Sequence, residues 1–189
     1  MYNGEDIWGS KYKNICISLY NIVKNIKPTN IVELGVGTGA CAAHMGKALQ
    51  DEKINGKLVG FDTFSEFNSK TKKTVLNNIK DQGLEPYIEL YEGNVYDTWL
   101  KNPTTFDMIY IDLNNTWESL YKIITYNNLY LQFKNCEHVY IEGGSFNHPR
   151  TNTNNLDKFH SNIGKKIFEV TYISSNHASG PCLSKIKIL

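Results

Sequence analysis

The sequence of 189 residues lacks the features that would place it in several special classes of protein. Its formal net charge is only +1, which gives no support to a surface that follows nucleic-acid phosphates. No apolar run is long enough to span a bilayer, and no basic and apolar leader indicates a signal peptide. We therefore expect a cytoplasmic protein that binds neither nucleic acid nor a membrane.

Cysteine is scarce and scattered along the chain. The four cysteines stand far apart and form no Cys-x-x-Cys pair: Cys16, Cys41, Cys136 and Cys182. This pattern favours reduced thiols over a disulfide framework or a zinc site.

Hydrophobic residues make up 41% of the chain, which is enough for a sizeable core. The length predicts one α/β domain over residues 1–189, with a helical segment at 1–28 and a core at 29–189. No repeat, linker or low-complexity tract divides the chain.

The clearest signal lies in one short stretch near the start of the predicted core. An apolar run at residues 31–34 predicts a strand that is buried on both faces. Three glycines follow at alternate positions, Gly35, Gly37 and Gly39, and glycine adopts positive φ and lets a ligand approach the backbone. Residues 40–49 then predict a helix. A strand, a glycine turn and a helix N-terminus in this order are typical of a nucleotide-type binding site.

Glu33 indicates what kind of nucleotide the turn favours. A carboxylate at this place repels a pyrophosphate and attracts a cation. S-adenosylmethionine (SAM) is an adenosine that carries a sulfonium and an ammonium group and no phosphate. The sequence Glu-Leu-Gly-Val-Gly-Thr-Gly at residues 33–39 closely resembles the first motif of class I SAM-dependent methyltransferases. The resemblance implies that Glu33 interacts with the methionine end of SAM. A tight turn in some other α/β protein is the alternative.

Polar side chains end the next two predicted strands. Asp62 follows a strand at 57–61, where a carboxylate can accept hydrogen bonds from two ribose hydroxyls or can simply cap a turn. Phe64 is placed to pack on an adenine. Asn94 follows a strand at 87–91, where the resembled family carries a side chain that reaches the adenine amino group. An ordinary turn is the alternative for Asn94.

The fourth and fifth predicted strands end in carboxylates. The pattern Phe-Asp-x-Ile-x-Ile-Asp at residues 106–112 resembles the fourth methyltransferase motif, and Glu142 ends a strand that begins at His138. Parallel strands bring Asp112 and Glu142 to the same crevice. By the resemblance, the cofactor-binding residues are Glu33, Gly35, Gly37, Gly39, Asp62, Thr63, Phe64, Asn94, Val95 and Asp112.

The remaining periodicity predicts the fold class. Helical spacing indicates a helix that buries Val75, Leu76 and Ile79. Two strands at 167–173 and 182–188 flank a short, turn-rich linker and predict a hairpin. We therefore expect an α/β fold, a Rossmann-like three-layer sandwich around a mostly parallel sheet of seven strands with an antiparallel last strand. This matches the class I methyltransferase sheet.

A finer resemblance concerns the acceptor and a metal. Residues 60–67 and 110–118 resemble the macrocin-type sugar O-methyltransferases, which hold a divalent cation on acidic residues after the fourth and fifth strands. Here neutral Asn114 and the asparagine after it stand in the first place, and Glu142 stands alone in the second. These residues and Asp112 can offer oxygen ligands to magnesium, but an amide is a poorer ligand than a carboxylate. A divalent metal is therefore possible but not favoured, and no metal residues are predicted.

Methyl transfer to oxygen needs a group that takes up a proton. Asp112, Glu142 and His148 are the candidate catalytic residues, and Arg150 is available to hold an anionic substrate group. A solvated loop residue is the alternative for His148.

The leading hypothesis is a SAM-dependent methyltransferase that acts on a small polar acceptor, a hydroxyl of a sugar or a related metabolite. A catalytically silent SAM-binding or accessory protein of the same fold is the alternative. A nicotinamide-dependent oxidoreductase is disfavoured because the Gly-x-Gly-x-x-Gly spacing is missing and Glu33 is unsuitable beside a pyrophosphate. Nucleic-acid methylation is disfavoured by the near-neutral charge. The expected partners are a small-molecule substrate and, as a possibility, a second copy of the chain.

Overall fold

The structure, a computed structural model, describes residues 13–65, 72–99, 105–114, 116–126, 129–144, 151–175 and 182–189. Its strands are β1 (Asn30–Leu34), β2 (Lys57–Asp62), β3 (Ile88–Glu92), β4 (Met108–Ile111), β5 (His138–Glu142), β6 (Phe168–Ser175) and β7 (Cys182–Ile188). Its helices are α1 (Lys13–Ile26), α2 (Ala40–Asp51), α3 (Lys72–Asp81), α4 (Val95–Thr98), α5 (Trp117–Thr125), α6 (Leu129–Asn135) and α7 (Thr153–Asn162).

The strands form one sheet in the order β3-β2-β1-β4-β5-β7-β6. Strands β1 to β5 pair in parallel, and β7 pairs antiparallel with both β5 and β6. The predicted fold class is thereby confirmed, with the reversed last strand inserted between β5 and β6. Because β1 lies between β2 and β4, the chain order changes direction at β1, and such a switch opens a crevice at the carboxyl ends of the strands.

Helices cover both faces of the sheet and make two cores. In β1, Ile31 points to the core under α1, α2 and α3, whereas Val32 and Leu34 point to the core under α4 to α7. Successive side chains of a strand face opposite sides, so both faces of β1 are apolar because both are covered. Glu33 is the exception in this strand.

One predicted helix differs from the structure in the residues that it buries. Val75 and Ile79 of α3 are buried, but Leu76 is 39% exposed, because α3 contacts the sheet along a narrow stripe that residues four apart share. Further along the chain, α5 ends at Thr125, Tyr126 adopts an extended conformation, and α6 begins at Leu129.

No helix in the described part of the chain has the length and apolar content that a membrane span requires.

Asp107 connects the starts of β1 and β4. Its Oδ2 accepts hydrogen bonds from the Thr29 amide at 2.8 Å, the Thr29 hydroxyl at 2.7 Å and the Asn30 amide at 3.0 Å. Partial burial alone raises the pKa of the Asp107 carboxyl, but these hydrogen bonds lower it below its usual value on balance. The two central strands are thus joined at their amino ends by one carboxylate.

We predict that Asp107→Asn lowers the free energy of unfolding by about 1–2 kcal/mol at pH 7, because charge-assisted hydrogen bonds are lost. The folded-state pKa lies below the unfolded value of about 3.9, so the contribution is complete above that pH and is lost as the pH falls through the folded pKa. Urea unfolding between pH 7 and acid pH measures both effects. Asp81→Asn, at the exposed end of α3, is the matched control; an equal loss in both variants would contradict the assignment.

Candidate functional site

The turn between β1 and α2, residues 35–39, is called the glycine turn here. Gly35, Gly37 and Gly39 all adopt positive φ, at 90°, 53° and 82°. A Cβ on Gly35 would lie 2.0 Å from the carbonyl oxygen of Asp112, whereas a Cβ on Gly37 would meet nothing within 4 Å. The turn therefore packs against the end of β4 on one side and is open on the other.

Asp62 holds the glycine turn from the end of β2. Its Oδ2 accepts hydrogen bonds from the amides of Val36 and Gly37, each at 2.8 Å, and its Oδ1 accepts one from the Phe64 amide at 2.6 Å. The carboxylate thus serves as a structural brace. Each oxygen can accept more than one hydrogen bond, so the predicted contact with ribose hydroxyls remains chemically open to it.

Glu33 is the most unusual residue of the site. Its side chain is only 1% exposed, and its Oε2 has no hydrogen-bond partner in the described structure. Burial raises the pKa of the Glu33 carboxyl well above its usual range, and the acidic groups of Asp112, Cys16 and Asp62 raise it further. Each of these described neighbours opposes a negative charge on Glu33, so the free protein favours the protonated form of this side chain.

A buried tyrosine lies beside Glu33 on the neighbouring strand, and the sequence analysis did not identify it as part of the site. Tyr110 is opposite Glu33 in the register of β1 and β4. Its hydroxyl is 3.4 Å from Oδ2 of Asp112 and 3.9 Å from the Sγ of Cys41, which is itself 3.7 Å from the Sγ of Cys16. The alternation of Tyr110 with Asp112 along one strand is the signal that puts both on the same face.

Asp112 and Glu142 follow one another across the sheet as predicted. Ile111 pairs with Ile141 in register, so each carboxylate comes one residue after this pair at the carboxyl edge. Glu142 is 5% exposed and lines a small crevice with Thr116, Ser119, Thr151 and aliphatic side chains. The crevice has room for about one water molecule, so it is not a formed acceptor pocket.

Gly143 and Gly144, which follow Glu142, are held in place by close contacts and hydrogen bonds with Thr151 and Ser184. A Cβ on Gly143 would lie 2.1 Å from the Thr151 hydroxyl oxygen. The Ser184 hydroxyl donates to the Gly143 carbonyl at 2.7 Å, and the Gly144 amide donates to the Thr151 carbonyl at 2.8 Å. The first bond holds the end of β5 against β7 and the second holds it against the residues that precede α7; the sequence alone did not indicate either.

The residues predicted to contact adenine mostly make contacts within their own segments. Thr63 is exposed, and its Oγ1 accepts a hydrogen bond from Ser65 at 2.9 Å. Phe64 adopts a positive φ of 52° and packs partly against the core under α2. The Oδ1 of Asn94 accepts from the Tyr96 amide at 3.0 Å and so caps α4. The Val95 side chain is buried in the other core, and no contact of Val95 with a ligand site is seen among the described residues.

Two predicted groups cannot be placed. His148 and Arg150 lie outside the described residues. Within the described ranges, no three or more side chains of His, Cys, Asp or Glu are grouped so that they could hold a metal ion.

Comparison with known proteins identifies a family. A sequence model described as "Methyltransferase domain" matches residues 32–132, which is more than half of the chain. No curated protein gives a significant match.

Solved structures share the fold over nearly the whole chain. The O-methyltransferase TomG of Streptomyces achromogenes, in complex with SAM, has a TM-score of 0.64 at 17% identity, covering 97% of this chain and 82% of that one. A methyltransferase of Podospora anserina bound to S-adenosylhomocysteine (SAH) has a TM-score of 0.65 at 18% identity, covering 97% and 81%. The O-methyltransferase of Bacillus cereus in complex with SAH has a TM-score of 0.64 at 16% identity, covering 93% and 81%. At these identities the likeness establishes the fold.

The glycine turn offers a matched pair of substitutions. We predict that Gly35→Ala lowers the free energy of unfolding by about 3 kcal/mol or more, because the new Cβ meets the Asp112 carbonyl and positive φ is strained. Gly37→Ala adds only the backbone strain and is expected to cost about 1 kcal/mol. Urea unfolding of both variants measures the difference. Equal losses would mean that β1 and β4 are not in contact at this turn.

Proposed function

Because the chain belongs to this family of methyltransferase domains, we propose that it binds SAM at the glycine turn and transfers the methyl group to a hydroxyl of a small polar acceptor. The unpaired, buried carboxylate oxygen of Glu33 is the observation that carries the proposal. It gives the site a fixed preference for a cationic ligand, and SAM carries positive charge without phosphate.

The residues at the site fit such a ligand. Glu33 accepts a hydrogen bond from the ligand's ammonium group, and the resulting ion pair compensates for the burial of its carboxylate. Gly37 leaves the backbone of the turn open to the ligand because nothing lies within 4 Å of its Cβ position. Asp62, already fixed by amides on both oxygens, accepts hydrogen bonds from the ribose hydroxyls with its remaining capacity.

The chemistry requires little from the protein beyond alignment and a proton acceptor. SAM supplies an electrophilic methyl group on a sulfonium with a good, neutral leaving group. Asp112 lies where the glycine turn meets β4, and Glu142 lies next to it on β5. Either carboxylate is placed to take up the proton that the acceptor hydroxyl loses.

For the acceptor, the proposal is a hydroxyl of a sugar or a related metabolite. It is supported by the resemblance of residues 60–67 and 110–118 to sugar O-methyltransferases. Glu142 and the hydroxyl side chains of Thr116, Ser119 and Thr151 give the neighbourhood hydrogen-bonding groups that suit a polar acceptor.

Calorimetric titration with SAM and SAH tests the proposal directly. We expect both ligands to bind. Failure of both to bind at millimolar concentration would refute a SAM-dependent function. Release of SAH in a screen of hydroxylated acceptors tests the transfer, and binding without transfer to any acceptor would favour a catalytically silent protein.

The substitution Glu33→Gln separates the effect of the buried carboxylate on SAM affinity from its effect on the stability of the free protein. We predict that SAM affinity falls by roughly 30-fold or more, because a buried charge pair with the ligand is lost. The free protein is expected to be at least as stable at pH 7, because the variant no longer buries an acid whose pKa is raised by its surroundings. Calorimetry and urea unfolding measure the two effects. Glu85→Gln, in an exposed turn, is the control and should change neither.

Binding of SAM is expected to release a proton. The folded-state pKa of Glu33 lies above the unfolded value of about 4.3, so the free protein loses stability as the pH rises between these two values. A cation beside Glu33 favours the ionised form, so affinity should rise with pH over the same window. Calorimetry in buffers of different ionisation enthalpy counts the proton. Proton release that persists in Glu33→Gln would assign it to another group.

A further inference from the structure

Two cysteine side chains are in contact close to the glycine turn, on the side of the sheet that α1 and α2 cover. Cys16 belongs to α1 and Cys41 is the second residue of α2, and their Sγ atoms are 3.7 Å apart across 25 positions of sequence. They are not joined by a disulfide. A disulfide needs a sulfur separation of about 2.05 Å, so the two atoms have to approach by roughly 1.7 Å. Helices α1 and α2 thus hold a pair of thiols within a small movement of a covalent link.

Cys41 also connects this pair to the proposed SAM site. Its Sγ lies 3.9 Å from the hydroxyl of Tyr110, and that hydroxyl lies 3.4 Å from Asp112. Cys41 follows Gly39, the last glycine of the turn, by two residues. Joining the two sulfurs would draw Cys41 towards Cys16, and we expect this to move the first turn of α2 away from Tyr110 and the glycine turn with it.

We propose that Cys16 and Cys41 form a redox-modification site whose oxidation to a disulfide weakens SAM binding at the glycine turn. The effect on SAM rests on the proposed function, whereas formation of the disulfide does not.

The oxidant is a small hydroperoxide, represented here by hydrogen peroxide. The sulfur of Cys41, which is 8% exposed against 0% for Cys16, attacks one peroxide oxygen; the O–O bond breaks, and a sulfenic acid and one water form. The sulfur of Cys16 then attacks the sulfur of Cys41, the S–O bond breaks, and a second water leaves. The two thiols lose two electrons and two protons in total, and the peroxide is reduced to water.

The surroundings make this a slow reaction. The hydrogen bond with Cys16, together with burial, raises the pKa of the Cys41 thiol well above its usual value. Since the thiolate is the nucleophile, the pair stays reduced without an oxidant in excess.

Peptide mapping of the whole protein tests the modification. The protein is treated with hydrogen peroxide, its remaining thiols are blocked, and it is digested without reduction. We expect a linked peptide pair that contains Cys16 and Cys41, absent from Cys16→Ser and from Cys41→Ser. Cys136→Ser, at a half-buried thiol on the other side of the sheet, should still form the link. Recovery of Cys16 and Cys41 as blocked free thiols, or linked to other cysteines, would overturn the proposal.

Calorimetry with SAH tests the consequence. We expect the oxidised protein to bind SAH at least about fivefold more weakly than the reduced protein, because the Cys41 contact with Tyr110 is lost and the turn moves. Reduction with dithiothreitol should restore the affinity, and peroxide should leave the affinity of Cys41→Ser at its untreated value, because this variant lacks the attacking sulfur and its Cys16 is fully buried. Equal affinity of the oxidised and reduced forms would overturn the switch. Absence of SAH binding by the reduced protein would refute the proposed function and the switch together, while the mapping result would still decide whether the modification site exists.

Discussion

A buried carboxylate in the central strand, to which the described residues offer no positive partner, is the constraint on which the site depends. Glu33 lies on β1 between β2 and β4, and the groups that act on its charge all disfavour it. Burying an ionised carboxylate without compensation is costly, so the free protein holds an acid that resists ionisation. In the proposed complex, the positive charge of SAM would reverse that preference and so couple ligand binding to the protonation of one side chain.

The topology of the sheet makes this arrangement possible. Since β1 pairs with both β2 and β4, the ends of three parallel strands meet at one edge. Gly35 rests against the Asp112 carbonyl from β4, and Asp62 from β2 accepts hydrogen bonds from the amides of Val36 and Gly37. The glycine turn is therefore held on both sides by neighbouring strands. Its shape depends on contacts between residues far apart in sequence.

The thiols of Cys16 and Cys41 place a pair of buried, oxidisable groups close to the glycine turn. They lie on the α1 and α2 side of the sheet, beneath the start of the helix that follows the glycine turn. Tyr110 lies between them and Asp112, so the glycine turn, the end of β4 and the thiol pair form one continuous set of contacts.

Local pattern was enough to predict much of this protein. The apolar run before three glycines determined β1, the glycine turn and the start of α2, because buried strands and positive φ impose strong local requirements on residue type. Asp112 and Glu142 were placed at one edge because they end parallel strands. Only the tertiary structure decided that Asp62 braces the turn, that Leu76 faces solvent and that Cys16 meets Cys41. Those outcomes depend on which elements pack together, and side-chain contacts across 25 or more positions leave no periodic signal in the sequence.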